Sequence, residues 1–283
     1  MADYAFNGSE HINAQIPISL DATTNLGNVF SLNTTWSGTK TGGNETRAAN
    51  TLYTAVLNAT SPGTYYKIWR TFLQFKIPNN LARVDIPPQL KIYSNLMVGT
   101  STIRIVPTSV NNTNFVTPWE NGTPSTVWDS VYIGSGASAA KYIDGNYHTV
   151  SGTGQQTINL NMLAGYHCTK GAHVSGGIKY ITICIVEHTY DWSDTAIAND
   201  TVTGVYFDDY SDSNPPQLIL KSPWFVNTSD AIQQYDGDFV INAHDPNLNQ
   251  HDKRVAQTPF GLNLKGPISL RNTNRAYKTT KSK

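Results

Sequence analysis

The stretch Trp69-Arg70-Thr71-Phe72-Leu73-Gln74-Phe75-Lys76-Ile77-Pro78 decides the fold class. Aromatic and apolar residues alternate in it with polar ones, and a period of two is that of a β-strand. Pro78 ends the strand, because proline lacks the amide hydrogen that a sheet interior needs. Far downstream, Val205-Tyr206-Phe207 is followed by a polar turn, two prolines and the apolar run Gln217-Leu218-Ile219-Leu220. These stretches predict an opening strand and a closing pair of strands in one large β domain.

The composition also indicates many short strands joined by tight loops. The 283 residues include 33 Thr and 27 Asn, whereas charged residues make up only 14%, below the roughly 25% of an average soluble protein. Thr favours pleated strands, and Asn and Gly favour turns that need positive φ. The formal net charge is zero. We therefore expect an all-β chain with no nucleic-acid partner, because duplex binding needs a cluster of phosphate-neutralising cations.

No segment of the sequence predicts export or membrane insertion. Residues 1–8 lack a charged segment followed by an apolar run, and nowhere do about 18 apolar residues follow one another. We expect a protein that is made and kept in a cytosol, with no membrane partner.

The two cysteines, Cys168 and Cys184, are too few for a disulfide framework or a cysteine-based zinc site. Cys184 lies in the apolar run of residues 180–186, which is typical of a buried strand and predicts a small core residue. Whether Cys168 lies near it depends on which strands are neighbours.

Strand signals are concentrated in the middle of the chain. Residues 1–28 show little alternation, residues 29–221 carry the strand candidates, and residues 222–283 are rich in Asp, Asn, Gln and Pro. We expect an antiparallel jelly-roll β-sandwich over residues 29–221, with an extended N-terminal arm and a long C-terminal arm. The apolar residues expected to anchor the C-terminal arm on a neighbouring subunit are Trp224, Phe225, Phe239, Phe260 and Leu262.

The strands that end at Pro78 and Leu220 resemble those of a known family, the DNRLRE-type, carbohydrate-binding-module-like jelly rolls. The first resembles the opening strand of that family. Residues 204–220 resemble its closing strands, in which a phenylalanine is followed by a turn, a proline and an apolar pair. The resemblance implies a jelly-roll fold, and it suggests contact with carbohydrate.

Aromatic residues in the expected loops are the candidates for carbohydrate contact. A pyranose ring has apolar C–H faces that stack on indole and phenol rings. An alternative remains open, because tryptophans in a sandwich are more often core residues or loop anchors. The candidates are Trp119, Trp128, Tyr132 and Trp192.

Acidic residues are most concentrated between residues 191 and 212. Ca²⁺ takes about six to eight oxygen ligands from carboxylates and carbonyls. The spacing lacks the pattern of an EF-hand loop, and solvated acidic turns are the alternative. We expect no cofactor and keep a calcium site as the alternative, with Asp191, Asp194, Asp208 and Asp209 as its ligands.

No motif in the sequence predicts catalysis. A glycosidase needs two facing carboxylates, and Glu187 beside His188 is the best placed of only four glutamates. Zinc-protease, nucleophile-elbow and phosphate-binding glycine motifs are absent. We expect Glu187 and His188 to be a strand-end pair facing water, in a protein that is not an enzyme.

The charge-poor composition and the two arms together look like a bacteriophage virion structural protein, such as a capsid decoration, head-fibre, neck or tail component. Such a protein assembles in the host cytoplasm, as a homo-oligomer and with other virion proteins, through many weak contacts. The alternative is a glycan-binding module that recognises host surface polysaccharide. The arms dominate the functional surface in the first reading, and exposed aromatic rings dominate it in the second.

Overall fold

The computed structural model describes residues 15–20, 26–42, 45–49, 52–61, 63–108, 124–131, 141–170, 173–175, 178–209, 211–225, 232–235 and 238–241. The strands are β1 (Gln15–Ser19), β2 (Leu26–Asn33), β3 (Glu45–Ala49), β4 (Leu52–Ala59), β5 (Tyr65–Ile77), β6 (Leu81–Val98), β7 (Thr102–Pro107), β8 (His148–Thr149), β9 (Gly154–Asn159), β10 (His173–Ser175), β11 (Ile178–Glu187), β12 (Thr201–Phe207), β13 (Gln217–Phe225), β14 (Ile232–Tyr235) and β15 (Asp238–Ile241). The α-helices are α1 (Trp36–Thr41), α2 (Pro124–Asp129) and α3 (Met162–Lys170), and a π-helix spans His188–Trp192. Within these residues, no helix is both long and apolar enough to cross a membrane.

Thirteen strands form one hydrogen-bonded sheet, in which every described register is antiparallel. Its main path runs β1-β13-β6-β12-β4-β5-β11-β7-β8, and β2, β3, β9 and β10 pair along its sides. The predicted all-β antiparallel sandwich is therefore confirmed. The strands predicted from the opening stretch and from the closing pair correspond to β5, β12 and β13.

The chain divides into two units between Trp224 and Phe225. The larger unit, Phe6–Trp224, contains the sheet. The smaller unit comprises Met1–Ala5 and Phe225–Lys283, and its described residues include the hairpin of β14 and β15. The predicted start of the C-terminal arm at residue 222 lies close to this division. The predicted N-terminal arm overlaps the sheet, because β1 pairs with β13 and β2 pairs with β5.

The sandwich arises because β5 changes its partner along one edge. Residues 65–69 of β5 pair with β4, and residues 71–77 pair with β11. At this fork Thr54 of β4 donates a side-chain hydrogen bond to the carbonyl of Ile185 on β11, at 3.2 Å. Thr54 Oγ1 also lies 2.9 Å from Thr71 Oγ1, from which it accepts a hydrogen bond because its own proton goes to the Ile185 carbonyl. Arg70 lies at the fork, between the two pairings.

The central strands are buried on both faces. On β5, Leu73 and Phe75 are fully buried on one face, and Ile68 and Phe72 are buried on the other. The second face packs against Trp128 of α2 and Trp192 of the π-helix. A core on each side of the central strands explains why β11 is a continuous apolar run and not an alternating one.

Both cysteines are free and buried, as is expected for small core residues. Cys184 lies on β11 within the core that contains the two tryptophans, and Cys168 lies on α3. Burial raises the pKa of Cys168 to about 12 and raises the pKa of Cys184 well above its ordinary value. Both thiols are therefore protonated and unreactive at neutral pH.

Candidate functional site

The most concentrated chemistry in the described residues is a charged centre formed by Arg70, Asp191 and Lys40. The Arg70 guanidinium donates from Nε to Asp191 Oδ2 and from Nη2 to Asp191 Oδ1, both at 2.9 Å. Lys40 Nζ donates to Asp191 Oδ1 at 3.1 Å and also to the Asp191 carbonyl. Asp191 and Arg70 are almost completely buried. A bidentate contact of this kind is the strongest arrangement open to an arginine and a carboxylate.

Aromatic rings close the charged centre from solvent. The Arg70 guanidinium carbon lies 3.5 Å from the ring centroid of Trp128, and the Trp128 indole donates to the Lys40 carbonyl at 3.3 Å. The Arg104 guanidinium carbon lies 4.0 Å from the ring centroid of Trp192. Cations over indole rings are attracted by the negative ring face, and the attraction grows when water is excluded.

Two opposing effects set the pKa of Asp191. Burial raises it, because the charged form loses its hydration, but Arg70 and Lys40 lower it by more. The pKa of this carboxyl therefore lies below its ordinary value, and Asp191 is ionised at neutral pH. Its charge is matched inside the protein by the two cations.

Glu187 initiates the π-helix that carries Asp191. Glu187 Oε2 accepts a hydrogen bond from the backbone amide of Tyr190 at 2.6 Å, which is the role of a helix N-cap. Glu187 is fully buried, and burial raises its pKa to about 7. The expectation of a strand-end pair facing water is wrong for Glu187, because the chain turns over this side chain into the helix. His188 is half-buried and stacks on the exposed ring of Tyr147, with ring centroids 4.6 Å apart.

The charged centre is suited to holding the fold together. Both oxygens of Asp191 are engaged by cations, and both the π-helix and α1 are tied to β5 through them. Glu187 is sealed from solvent and engaged by the helix that it caps. This arrangement gives a glycosidic bond no access to the two carboxylates.

The four predicted metal ligands have separate partners. Asp191 is held in the charged centre, and Asp194 accepts from the Trp36 indole at 3.0 Å. Asp208 accepts from Asn95 at 2.9 Å, and Asp209 accepts from the Ser211 amide at 2.7 Å. Across the part of the chain that the structure describes, no three His, Cys, Asp or Glu side chains are grouped as a metal site would need. The calcium alternative therefore has no support from this geometry.

The predicted carbohydrate contacts do not form a platform in the described residues. Trp128 and Trp192 are 2% and 8% exposed, with arginines covering their faces, so neither ring is free to stack on a sugar. These two assignments are corrected: both rings belong to the core. Trp119 and Tyr132 lie outside the described residues.

The predicted anchors of the C-terminal arm are described in part. Trp224 and Phe225 end β13, and Phe239 lies in β15, opposite Gln234 of β14. Phe260 and Leu262 lie outside the described residues. Their role as anchors stays a prediction.

An aromatic face, defined as Phe30, Tyr53, Lys67, Trp69 and Tyr206, is the second feature with chemical character. Strand register builds it, because Phe30 pairs with Trp69, and Tyr53 pairs with Tyr206. The centroids of Phe30 and Trp69 are 6.2 Å apart, those of Trp69 and Tyr53 are 5.1 Å apart, and Tyr53 and Tyr206 stack at 3.7 Å. The rings form a continuous row across β2, β5, β4 and β12.

Lys67 is the charged residue of the aromatic face. Its ammonium lies 3.7 Å from the Phe30 centroid and 4.6 Å from the Trp69 centroid. Burial lowers the pKa of Lys67. Among the described ion pairs, none joins Lys67 to a carboxylate. The two rings are thus its main electrostatic partners within the described residues.

Sequence reasoning did not assign the aromatic face, although a signal for it is present. Tyr65, Lys67 and Trp69 alternate with Tyr66, Ile68 and Arg70, so a cation and a tryptophan share one face of the strand. The partners of Trp69 are set by the register of β2 and β4, which local sequence does not determine.

The chain matches no protein-family model, and no curated protein shows significant similarity to it. The resemblance to DNRLRE-type jelly rolls therefore stays a prediction.

Proposed function

We propose that this protein is a non-enzymatic structural component of a bacteriophage virion, which assembles through its C-terminal arm and displays the sandwich. The observation that carries the proposal is the division between Trp224 and Phe225, at the end of β13, the last strand of the sheet. Beyond it follow 59 residues, Phe225–Lys283, of mostly polar sequence with separated apolar groups. Such a segment gains order by binding along another subunit.

The chemistry of the sandwich supports a structural role. The carboxylates that catalysis would need, Glu187 and Asp191, serve as a helix cap and as a counterion. The arrangement favours a rigid body that carries its surface outward. A capsid decoration, head-fibre, neck or tail component fits this design, with other virion proteins as partners.

The assembly proposal is tested on the full chain by light scattering. We expect a defined homo-oligomer, and we expect Phe260→Asp combined with Leu262→Asp to shift the mass to that of the monomer, because the charges prevent burial of both anchors. The matched control is Asn247→Asp combined with Asn249→Asp, which adds the same charge at polar positions of the same unit and is expected to leave the mass unchanged. A full chain that is monomeric, or an oligomer that survives loss of the anchors, would contradict the proposal.

A further inference from the structure

We infer that Arg104 forms a binding site for one carboxylate group, which its guanidinium receives through N–H donors that have no partner among the described residues. This inference goes beyond the assembly role and does not depend on it. Two observations carry it. Arg104 is almost completely buried without a described counterion, and Arg70, in a matching position, has one.

Arg104 and Arg70 occupy matching positions on the two sides of β11. Cys184 of β11 pairs with Phe72 of β5 and with Val106 of β7. Each arginine lies two residues before one of these partners on its strand. Both side chains therefore project from the same face of the sheet, because side chains two residues apart on a strand share a face.

An indole ring covers one face of each guanidinium. The guanidinium carbon of Arg70 lies 3.5 Å from the Trp128 centroid, and that of Arg104 lies 4.0 Å from the Trp192 centroid. A guanidinium is planar, and its N–H donors point outward in that plane. The ring of Trp192 therefore orients Arg104 and leaves its donors directed past the ring.

The two arginines differ in what their donors meet. Arg70 donates two hydrogen bonds to Asp191. Arg104 belongs to none of the described ion pairs, and its Nε is enclosed without a hydrogen-bond partner among the described residues. Only 8% of Arg104 is exposed, so water can supply little of what is missing. A buried cation without an anion is costly, and a carboxylate that reaches it removes that cost.

The carboxylates closest in sequence to Trp192 are already engaged. Both oxygens of Asp191 accept from Arg70 or Lys40, and Glu187 caps the π-helix by accepting from the Tyr190 amide. Neither forms a described ion pair with Arg104. We therefore expect the carboxylate to come from outside the sandwich.

Polar and aromatic groups surround the approach to Arg104. Burial and the charge of Arg104 lower the pKa of His188, whose Nδ1 is also enclosed without a described partner. Thr102 shares the face of Arg104 on β7, and its exposed hydroxyl lies 2.8 Å from that of Thr189. The ring of Tyr147 is 49% exposed and stacks on His188. A ligand bound at Arg104 thus has hydroxyls and a ring surface close by.

The charge of the site favours a carboxylate over a phosphate. The lowered pKa keeps His188 neutral at pH 7, so Arg104 supplies a single positive charge. A carboxylate carries a single negative charge, and its two oxygens match the fork of a guanidinium. A phosphate dianion would keep an unmatched charge where little water reaches it.

The Nε–H proton of Arg104 gives an NMR signal that tests the inference on the full chain, because this group is enclosed. Its loss in Arg104→Lys assigns the signal. We expect sodium acetate to shift it saturably, with a Kd of about 1–20 mM. Acetamide has nearly the same shape without the charge and is expected to leave the signal in place. An aspartate blocked at its amino and carboxyl ends is the second carboxylate probe.

Urea denaturation with matched variants gives a second readout. The wild-type midpoint is expected to be higher in about 100 mM sodium acetate than in sodium chloride of equal concentration, because a ligand that binds only the folded state stabilises it. Arg104→Met is expected to lose this rise. Lys67→Met removes another cation that rests over aromatic rings and is expected to keep it. Should Arg104→Met fail to fold, the NMR titration of the wild type decides.

Each outcome bears on the inference. An Arg104 signal that acetate leaves unshifted would overturn it, as would a midpoint rise that Arg104→Met retains. Equal responses to acetate and chloride would show an adventitious ion only, and tighter binding of phosphate would overturn the choice of ligand. Both would count against the carboxylate site.

The two carboxylate probes distinguish the source of the ligand. Binding of acetate without the blocked aspartate supports a free small acid, and binding of both supports an acidic side chain of a partner protein. The Phe260→Asp, Leu262→Asp variant is expected to bind acetate normally, which keeps this test independent of assembly.

Discussion

Lys67 and Arg70 lie three residues apart on β5, yet each rests over aromatic rings on an opposite face of the sheet. Arg70 is almost completely buried, and Asp191 neutralises it with two hydrogen bonds. Lys67 is half-buried, and no described carboxylate pairs with it. The comparison shows that one kind of contact occurs in two settings. A cation over a ring belongs to the core when its counterion is buried beside it, as for Arg70, and lies near the surface when no described carboxylate pairs with it, as for Lys67.

The largest loss of stability is expected from removing Asp191, the buried counterion of Arg70. Asp191→Asn keeps the shape of the side chain but leaves Arg70 and Lys40 without a negative partner, so the free energy of unfolding falls by about 3–5 kcal/mol. Urea denaturation of the full chain measures the change. Asp194→Asn, three residues away and exposed, is the matched control, with an expected change within about 0.5 kcal/mol. Equal stability of the two variants would remove the structural role that we assign to the charged centre.

A second substitution tests the close packing of β12 against β4 beneath the aromatic face. Gly204→Ala places a Cβ against backbone atoms of β4, which cannot move aside as a flexible side chain can. We expect a loss of about 2–3 kcal/mol in the free energy of unfolding, together with a weaker tyrosine signal in near-ultraviolet circular dichroism. Gly63→Ala is the control, because a Cβ there meets no atom within 4 Å. A Gly204→Ala variant as stable as the control would mean that β4 and β12 adjust freely.

Glu187 makes the free energy of unfolding depend on pH. Its pKa is raised from an ordinary value of 4.5 to about 7, chiefly by burial. The folded state therefore binds a proton more tightly than the unfolded state does, and the stabilisation is full below pH 4.5 and is lost as pH rises through 7. Glu187→Gln removes this titration and keeps an acceptor for the Tyr190 amide. We expect the stability difference between variant and wild type to change by about 2 kcal/mol across that window.

The neighbours of Glu187 determine how that experiment is read. The pKa of His188 is lowered by burial and by Arg104, so His188 contributes stability above pH 6.5 that is lost as pH falls. Its effect has the opposite sign, which is why the measurement compares Glu187→Gln with wild type at each pH. Asp144→Asn, which makes the same change from carboxylate to amide at an exposed position, is the control. A difference for Glu187→Gln that stays constant with pH would contradict the raised pKa.

Local pattern predicted the strands well. The alternation before Pro78, the apolar run around Cys184 and the closing strands correspond to β5, β11, β12 and β13. Burial on these strands follows from side-chain period and composition, which adjacent residues determine. The sequence does not predict β1 as part of the sheet, because β1 is a single short edge strand whose pairing with β13 joins residues about 200 positions apart in sequence.

The sites were harder to predict, because partners distant in sequence create them. The sequence predicts Asp191 as a metal ligand. In the structure Asp191 instead pairs with Arg70, which lies 121 residues away in sequence, at the point where β5 changes its partner. One signal was available: Arg70 occupies an inward position between Ile68 and Phe72, and a cation there needs a buried counterion. The π-helix that places Asp191 has no sequence signature of its own. The aromatic face likewise depends on the registers of β2, β4 and β12.

The most direct test of the difference between the two faces is urea denaturation of Arg70→Met and Lys67→Met side by side in the full chain. Both substitutions replace a cation by the same apolar side chain on the same strand. We predict that Arg70→Met lowers the free energy of unfolding by about 3 kcal/mol or more, since it leaves the buried Asp191 carboxylate without its main partner. Lys67→Met is predicted to stay within about 0.5 kcal/mol of wild type. Equal losses in the two variants would contradict the assignment of the buried cation, and not the half-buried one, to the stability of the fold.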